Sequence, residues 1–192
     1  MLIEFKQLNR LVAARFEQSM AVPEAFFAAE AERIAQACWA MARRFHASGR
    51  LLAFGNGAWA TDAQHVAVEF VHPVIVGKRA LPALALTNNS TALSGMRGEA
   101  GPDFARQLAV LARPQDIALG FSSDGGCANV LAALDRARKQ GLLTLALTGG
   151  DGGALAAAEL DFCFVVPSHD ALVVQETHET LYHVLWELVH VF

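Results

Sequence analysis

Five short apolar runs recur between helical patterns from residue 51 onward: LLAF (51–54), PALALT (82–87), IALGF (117–121), LLTLALT (142–148) and FCFVV (162–166). Four of them are nearly continuous hydrophobics. A strand buried on both faces has no polar side, so this texture marks a parallel sheet covered by helices. The alternation of strand and helix says the same, because parallel neighbours need a crossover and the crossover is usually helical. The expected fold class is α/β, a three-layer sandwich around a five-stranded parallel sheet. Upstream, residues 4–19 have helical periodicity. Pro23 is expected to open a second, longer helix, because proline suits a first helical turn and disrupts an interior one. Phe26, Ala29, Ile34, Cys38 and Met41 then share one side, and Gly49 is expected to end the helix. A last helical pattern covers residues 171–192. One domain, residues 1–192, is expected, with residues 1–48 as a helical extension packed on it.

A hydrophobic fraction of 54% in 192 residues is enough for a substantial core. Fifteen basic residues against 19 acidic ones, with no basic run, argue against a nucleic-acid surface. No apolar stretch is long and uninterrupted enough to span a bilayer. The start, MLIEFKQLNRLVAARFEQ, is charged throughout and lacks the apolar core of a signal peptide. Cys38, Cys127 and Cys163 are scattered, with neither a disulfide framework nor metal-knuckle spacing. A reducing, cytoplasmic setting is expected.

In open α/β sheets ligands bind beyond the carboxyl ends of the strands. Three such ends here are unusual: GNGAWATDA (55–63), SSDGGCANV (122–130) and TGGDGG (148–153). Glycine permits close backbone approach, and a following helix points free N–H groups at an anion. Short strand-to-helix turns also use glycine for purely local reasons. Hydroxyls and glycines at the first two turns together favour an anion or sugar site. Gly55, Gly57 and Ala60 loosely fit the dinucleotide fingerprint G-x-G-x-x-A. That fingerprint needs an acid after the next strand, where this chain has Thr87, Asn88 and Asn89, so a nicotinamide enzyme is a weak alternative.

His65 and Glu69 stand at i and i+4, on one helix face, with Asp62 in the favoured first turn. The last helix carries Gln175, His178, Glu179 and His183. A single helical histidine is more often a core or surface residue than a ligand. Two such groups on two helices form a mixed N/O set suited to zinc or another divalent ion. Spacing alone does not bring the helices together.

With GNG (55–57), DAQHVAVEF (62–70), SSDGGCANV (122–130), LALTGGDGG (145–153) and QETHETLYH (175–183), the chain resembles the sugar isomerase (SIS) domain family, phosphoheptose isomerase branch. The resemblance covers most of the chain. It implies a flavodoxin-like sheet and a homotetramer with active sites at subunit interfaces. It also implies interconversion of sedoheptulose 7-phosphate with a heptose 7-phosphate, or a related reaction on another sugar derivative. By the same resemblance His65, Glu69, Gln175 and His183 are zinc ligands, and Glu69 and His183 are also the acid–base pair of an enediol mechanism. The implied substrate contacts are Asn56, Gly57, Ala58 and Asp62, then Thr87 and Asn88, then Ser122, Ser123 and Asp124, with Gln175. A sister branch binds the replication initiator and lacks the matching Glu and last His. The alternative is therefore a non-catalytic SIS module that binds a sugar derivative or such a partner protein.

The chain departs from the family pattern where it binds phosphate. Trp59 replaces a usual serine, and Asp124 and Cys127 replace hydroxyls of the second turn. The expected arginines are absent from VHPVIV (71–76) and SHDALVVQ (168–175). A carboxylate about 4 Å from a phosphate repels it by about 1 kcal/mol at the dielectric of water, so Asp124 is expected to weaken phosphate binding. The structural counter-readings are that Trp59 packs on a neighbouring subunit and that Asp124 caps the helix beginning near Cys127. The apolar excess of the N-terminal helices, with Phe16, Phe26, Phe27 and Trp39, fits burial on more than one side and hence an oligomer.

Overall fold

The computed structural model describes residues 5–98 and 101–192. Helix α1 (Phe5–His46) leads into strand β1 (Leu51–Gly55), helix α2 (Trp59–Val71) and the short strand β2 (Ala83–Ala85). Helix α3 (Ser90–Gly95) follows, then a small antiparallel ladder of β3 (Arg97–Gly98) and β4 (Gly101–Pro102), and helix α4 (Phe104–Leu111). The rest alternates: β5 (Ile117–Phe121), α5 (Ala128–Lys139), β6 (Leu143–Gly149), α6 (Gly153–Ala156), β7 (Phe162–Val166) and α7 (Ala171–Val189). The five apolar runs became one parallel sheet in the order β2-β1-β5-β6-β7.

The three central strands, β1, β5 and β6, bury both faces because their residues serve two cores in turn. Leu51, Ala53, Ile117, Leu119, Phe121, Leu145, Leu147 and Phe164 point to one side, under α1, α2 and α7. Leu52, Phe54, Ala118 and Ala146 point to the other, under α4 and α5. No position in β1, β5 or β6 can be polar without facing one of these cores, which explains the continuous hydrophobic runs. From β1 the chain moves outward to β2, then returns across β1 to β5. The carboxyl ends of β1 and β5 therefore flank the switch point of the sheet, where open α/β folds leave a crevice.

The N-terminal region differs from the sequence reading. Pro23 lies inside a single 42-residue helix, α1, and does not open a second one. An interior proline removes one main-chain bond and costs roughly 3 kcal/mol. Packing on both sides of it offsets that cost. Phe26, Ile34, Cys38 and Met41 are buried in the core beyond it, and before it Arg15 binds Asp170 at 2.7 Å and Glu176 at 3.0 Å. The end of α1 also differs in detail. Ser48, with φ 63°, holds the left-handed position, while the Gly49 N–H closes back on Arg44 O at 2.8 Å. Glycine is needed at 49 for space, since a Cβ there would strike the Gln115 carbonyl. Phe26 is buried and Phe27 packs on the core, but Phe16 is 63% and Trp39 50% exposed. None of the described helices is long and apolar enough to cross a membrane.

Candidate active site

Helices α2 and α7 lie side by side on one face of the sheet, and their contact builds the site. His65 and Glu69 come from α2 and His183 from α7, and each has one ligand-type atom within 4.8 Å of the others'. His65 Nε2 lies 3.3 Å from Glu69 Oε1, and the His65 and His183 rings are 5.2 Å apart. All three side chains are half-buried, as a site that must admit a ligand requires. Two imidazoles and a carboxylate are a donor set suited to zinc and other borderline divalent ions.

Gln175, one turn into α7, is turned toward the start of α2. Its Nε2 donates to Asp62 Oδ2 at 2.9 Å, with Ala58 O and Thr61 Oγ1 both at 3.4 Å. Oxygens surround that atom, so it must be the amide nitrogen, and Oε1 points away from them. Burial pushes the Asp62 carboxyl up to about 6, against the pull of the Gln175 hydrogen bond and with a further push from Glu179. Tyr182, also on α7, places its hydroxyl 2.8 Å from His65 Nδ1. Burial, with Asp62, Glu179 and Glu69 nearby, pushes that phenol well above its usual range.

The first turn occupies the switch point. Gly55, Asn56, Gly57, Ala60, Thr87 and Pro102 line a cavity of about 430 Å³ there. Ala58 immediately precedes α2, whose first N–H groups, those of Trp59, Ala60 and Thr61, donate to the carbonyls of Asn56, Gly57 and Ala58 at 3.0, 3.1 and 2.9 Å. The Asn56 carboxamide is engaged by Asn129 in two reciprocal bonds of 2.8 and 3.0 Å. Asn129 also donates to Pro102 O at 3.0 Å, so one side chain ties the first turn, α5 and β4 together. Thr87 is buried, and Asn88 is exposed just beyond it.

Trp59 does not obstruct the first turn. Its ring is buried in the core of the same chain, 5.1 Å from the His178 ring. In the second turn Ser122 is buried and its Oγ accepts the Gly125 N–H at 3.0 Å, while Ser123 is half-buried. Asp124 is exposed, and Oδ1 accepts the N–H of Gly126 at 2.9 Å. It folds the turn locally and does not cap α5, whose N-cap is Cys127. The second and third turns interlock through backbone alone. Gly125 has φ 75°, and a Cβ on it would collide with the Gly152 carbonyl.

Sequence reasoning passed over two residues of this site. Asn129 reads as an ordinary polar residue in a first helical turn, and Tyr182 as an apolar-face residue. A pairing signal for either exists only in three dimensions.

A sequence profile described as "SIS domain" matches residues 16–149. The phosphoheptose isomerase of Solidesulfovibrio magneticus is 40% identical over 182 residues, covering 94% of this chain and 88% of the relative. That of Roseiflexus sp. is 38% identical over 183 residues, covering 94% and 92%. The solved structure of the Neisseria gonorrhoeae phosphoheptose isomerase superposes with a TM-score of 0.87 at 33% identity, covering 96% of this chain and all of that one. With its five-stranded parallel sheet and its two-helix His/Glu cluster, this chain belongs to the SIS domain family, in the phosphoheptose isomerase branch.

Proposed function

We propose that the protein is an aldose–ketose isomerase that interconverts sedoheptulose 7-phosphate and the corresponding heptose 7-phosphate. The observation that carries the reading is the gathering of His65, Glu69 and His183 from two helices into one half-buried cluster. The relatives named phosphoheptose isomerase support the choice of substrate.

From the ketose, one member of the Glu69/His183 pair takes a proton from C1, next to the C2 carbonyl. The carbonyl oxygen gains a proton as the C1=C2 enediol forms. The O1 proton then leaves and C2 is protonated, which gives the aldehyde at C1 with no net gain or loss of atoms. Glu69 is partly shielded, and a ring nitrogen of His183 lies within 4.8 Å of its carboxylate, so the two groups flank one small space in which a proton can be passed. A zinc ion held by His65, Glu69, His183 and the Oε1 of Gln175 fits the donor set, and when bound it polarises the carbonyl. The phosphate lies against the first and second turns, where Gly57, Ala58 and Ser123 offer main-chain and hydroxyl donors at the switch point. Asn56 contributes by holding its turn, since Asn129 engages its carboxamide. Exposed Phe16 and Trp39 on α1 support burial in a homotetramer, and the scattered cysteines support a cytoplasmic location.

The test is turnover of sedoheptulose 7-phosphate by zinc-supplemented protein, followed by NMR. Wild type converts it, and Glu69→Gln lowers kcat by about 10²–10⁴, the usual worth of a positioned acid or base. Equal turnover in the two proteins refutes the assignment.

A further inference from the structure

We infer that Tyr182 is a positioning residue for the metal centre: its hydroxyl oxygen receives the Nδ1 hydrogen of His65 and thereby fixes Nε2 as the metal-facing atom. The inference rests on the metal reading above. A neutral imidazole carries one N–H and one lone pair, and the partner of one nitrogen decides what the other can do. His65 Nε2 faces the cluster, 3.3 Å from Glu69 Oε1. Nδ1 faces the other way, 2.8 Å from the Tyr182 oxygen. For Nε2 to offer a lone pair to a metal, the hydrogen must sit on Nδ1 and must find an acceptor.

Two oxygens are near Nδ1, and they differ in fitness. Glu179 Oε1 is 3.6 Å away on a side chain that is 49% exposed, beyond hydrogen-bonding range. The Tyr182 oxygen is within range and is held still. Its ring is buried and makes near-perpendicular edge contacts with Phe121 at 6.1 Å, His183 at 5.1 Å and His65 at 5.3 Å. Residues 182 and 183 are adjacent on α7, so one short segment supplies an inner ligand and the outer partner of the ligand opposite. This arrangement couples the register of α7 against α2 to the orientation of the His65 ring. Outer partners of metal-bound histidines set ring orientation and ligand basicity, and losing one typically costs 10–100-fold in metal affinity.

Tyr182→Phe keeps the packed ring and deletes only the oxygen. The experiment compares zinc dissociation constants of full-length wild type, Tyr182→Phe and Glu179→Gln by chelator competition, with zinc alone as the probe. Thermal midpoints of the metal-free proteins are measured alongside. About 10–100-fold weaker zinc binding in Tyr182→Phe is expected, with a near-wild-type metal-free midpoint and little change in Glu179→Gln. Unchanged affinity in Tyr182→Phe overturns the inference, as does a loss confined to Glu179→Gln. A wild type that binds no zinc overturns the metal reading and this inference together. Nitrogen-15 ring spectra of the zinc-loaded wild type give a check that needs no variant. The inference requires the hydrogen on His65 Nδ1, and a zinc-bound Nδ1 refutes it.

Discussion

His178 makes the stability of this protein depend on pH in a definite window. The side chain is fully buried on α7 between Trp59, 5.1 Å away, and Phe121, 6.1 Å away. Nε2 meets Thr148 O at 3.2 Å, and Nδ1 has no partner among the described residues. Burial lowers its pKa from 6.5 to about 4, against the smaller opposing effect of the Thr148 carbonyl. A protonated imidazole would put a charge in an apolar slot with one acceptor. The unfolded chain therefore takes up a proton near pH 6.5, while the folded chain waits until about pH 4. Between those values the unfolded state binds more protons, so stability falls as pH falls, at up to about 1.4 kcal/mol per pH unit. The contribution is complete above the unfolded value, is lost progressively on acidification, and is flat below the folded value. The total is on the order of 3 kcal/mol. Asp62 acts in the opposite direction. Its carboxyl is held up to about 6, so the folded state takes a proton first and gains stability as pH falls through that range.

The assay must therefore isolate His178. His178→Gln leaves an amide donor for Thr148 and removes the titrating ring. Urea unfolding of both proteins at one protein concentration, in steps from pH 8 to 4, gives a wild-type-minus-variant curve in which Asp62 cancels. That difference should narrow by about 2–3 kcal/mol on acidification, with most of the change between pH 6.5 and 4.5. A flat difference would show that His178 is hydrated or paired in the folded protein, and would refute the burial argument.

Further outcomes follow from the same geometry. Gly125→Ala forces a side chain into a left-handed backbone against the Gly152 carbonyl, so it should destabilise by about 1–3 kcal/mol or more, read as a lowered thermal midpoint. Asp124→Ser removes an exposed charge beside the second turn and keeps an oxygen for the Gly126 N–H. KM for the sugar phosphate should fall by about fivefold at low salt, the worth of about 1 kcal/mol, and less at high salt. An effect independent of salt would show that charge is not the cause. Asn129→Asp removes both donor contacts from Asn129 and sets a carboxylate against Asn56 Oδ1 and Pro102 O. It should raise KM while zinc content holds, and steady-state kinetics with metal analysis decide this. Light scattering should report a tetramer, since Phe16 and Trp39 are left exposed on the single chain.

Much of this could be read from residue order. The sheet was legible because a strand facing two cores is built mostly of apolar residues, and each such run became a strand within a residue or two. His65 and Glu69 were legible as one helix face, and the tie to His183 came from family resemblance and was then seen in the contact of α2 with α7. The failures were non-local. Pro23 reads as a helix start, because the contacts of Arg15, Asp170 and Phe26 that keep α1 continuous lie far off in sequence. Trp59 reads as a bulky intruder in a glycine turn, because nothing nearby announces His178 as its packing partner. Asp124 reads as a cap for the helix beginning near Cys127, although its oxygen closes on Gly126 two residues away and the N-cap is Cys127 itself. Asn129 and Tyr182 were invisible for the same reason: each is defined by a hydrogen bond across the fold.

The central claim is that the Glu69/His183 cluster moves protons between neighbouring carbons of a sugar phosphate. Its most direct test is isomerisation of sedoheptulose 7-phosphate by zinc-loaded wild type in deuterium oxide, with the aldose analysed by NMR. The half-exposed cluster exchanges its acid proton with solvent, so the product should carry deuterium at C2, and Glu69→Gln should form almost none. An aldose with only protium at C2, or no aldose from protein whose site is filled with zinc, would contradict the account.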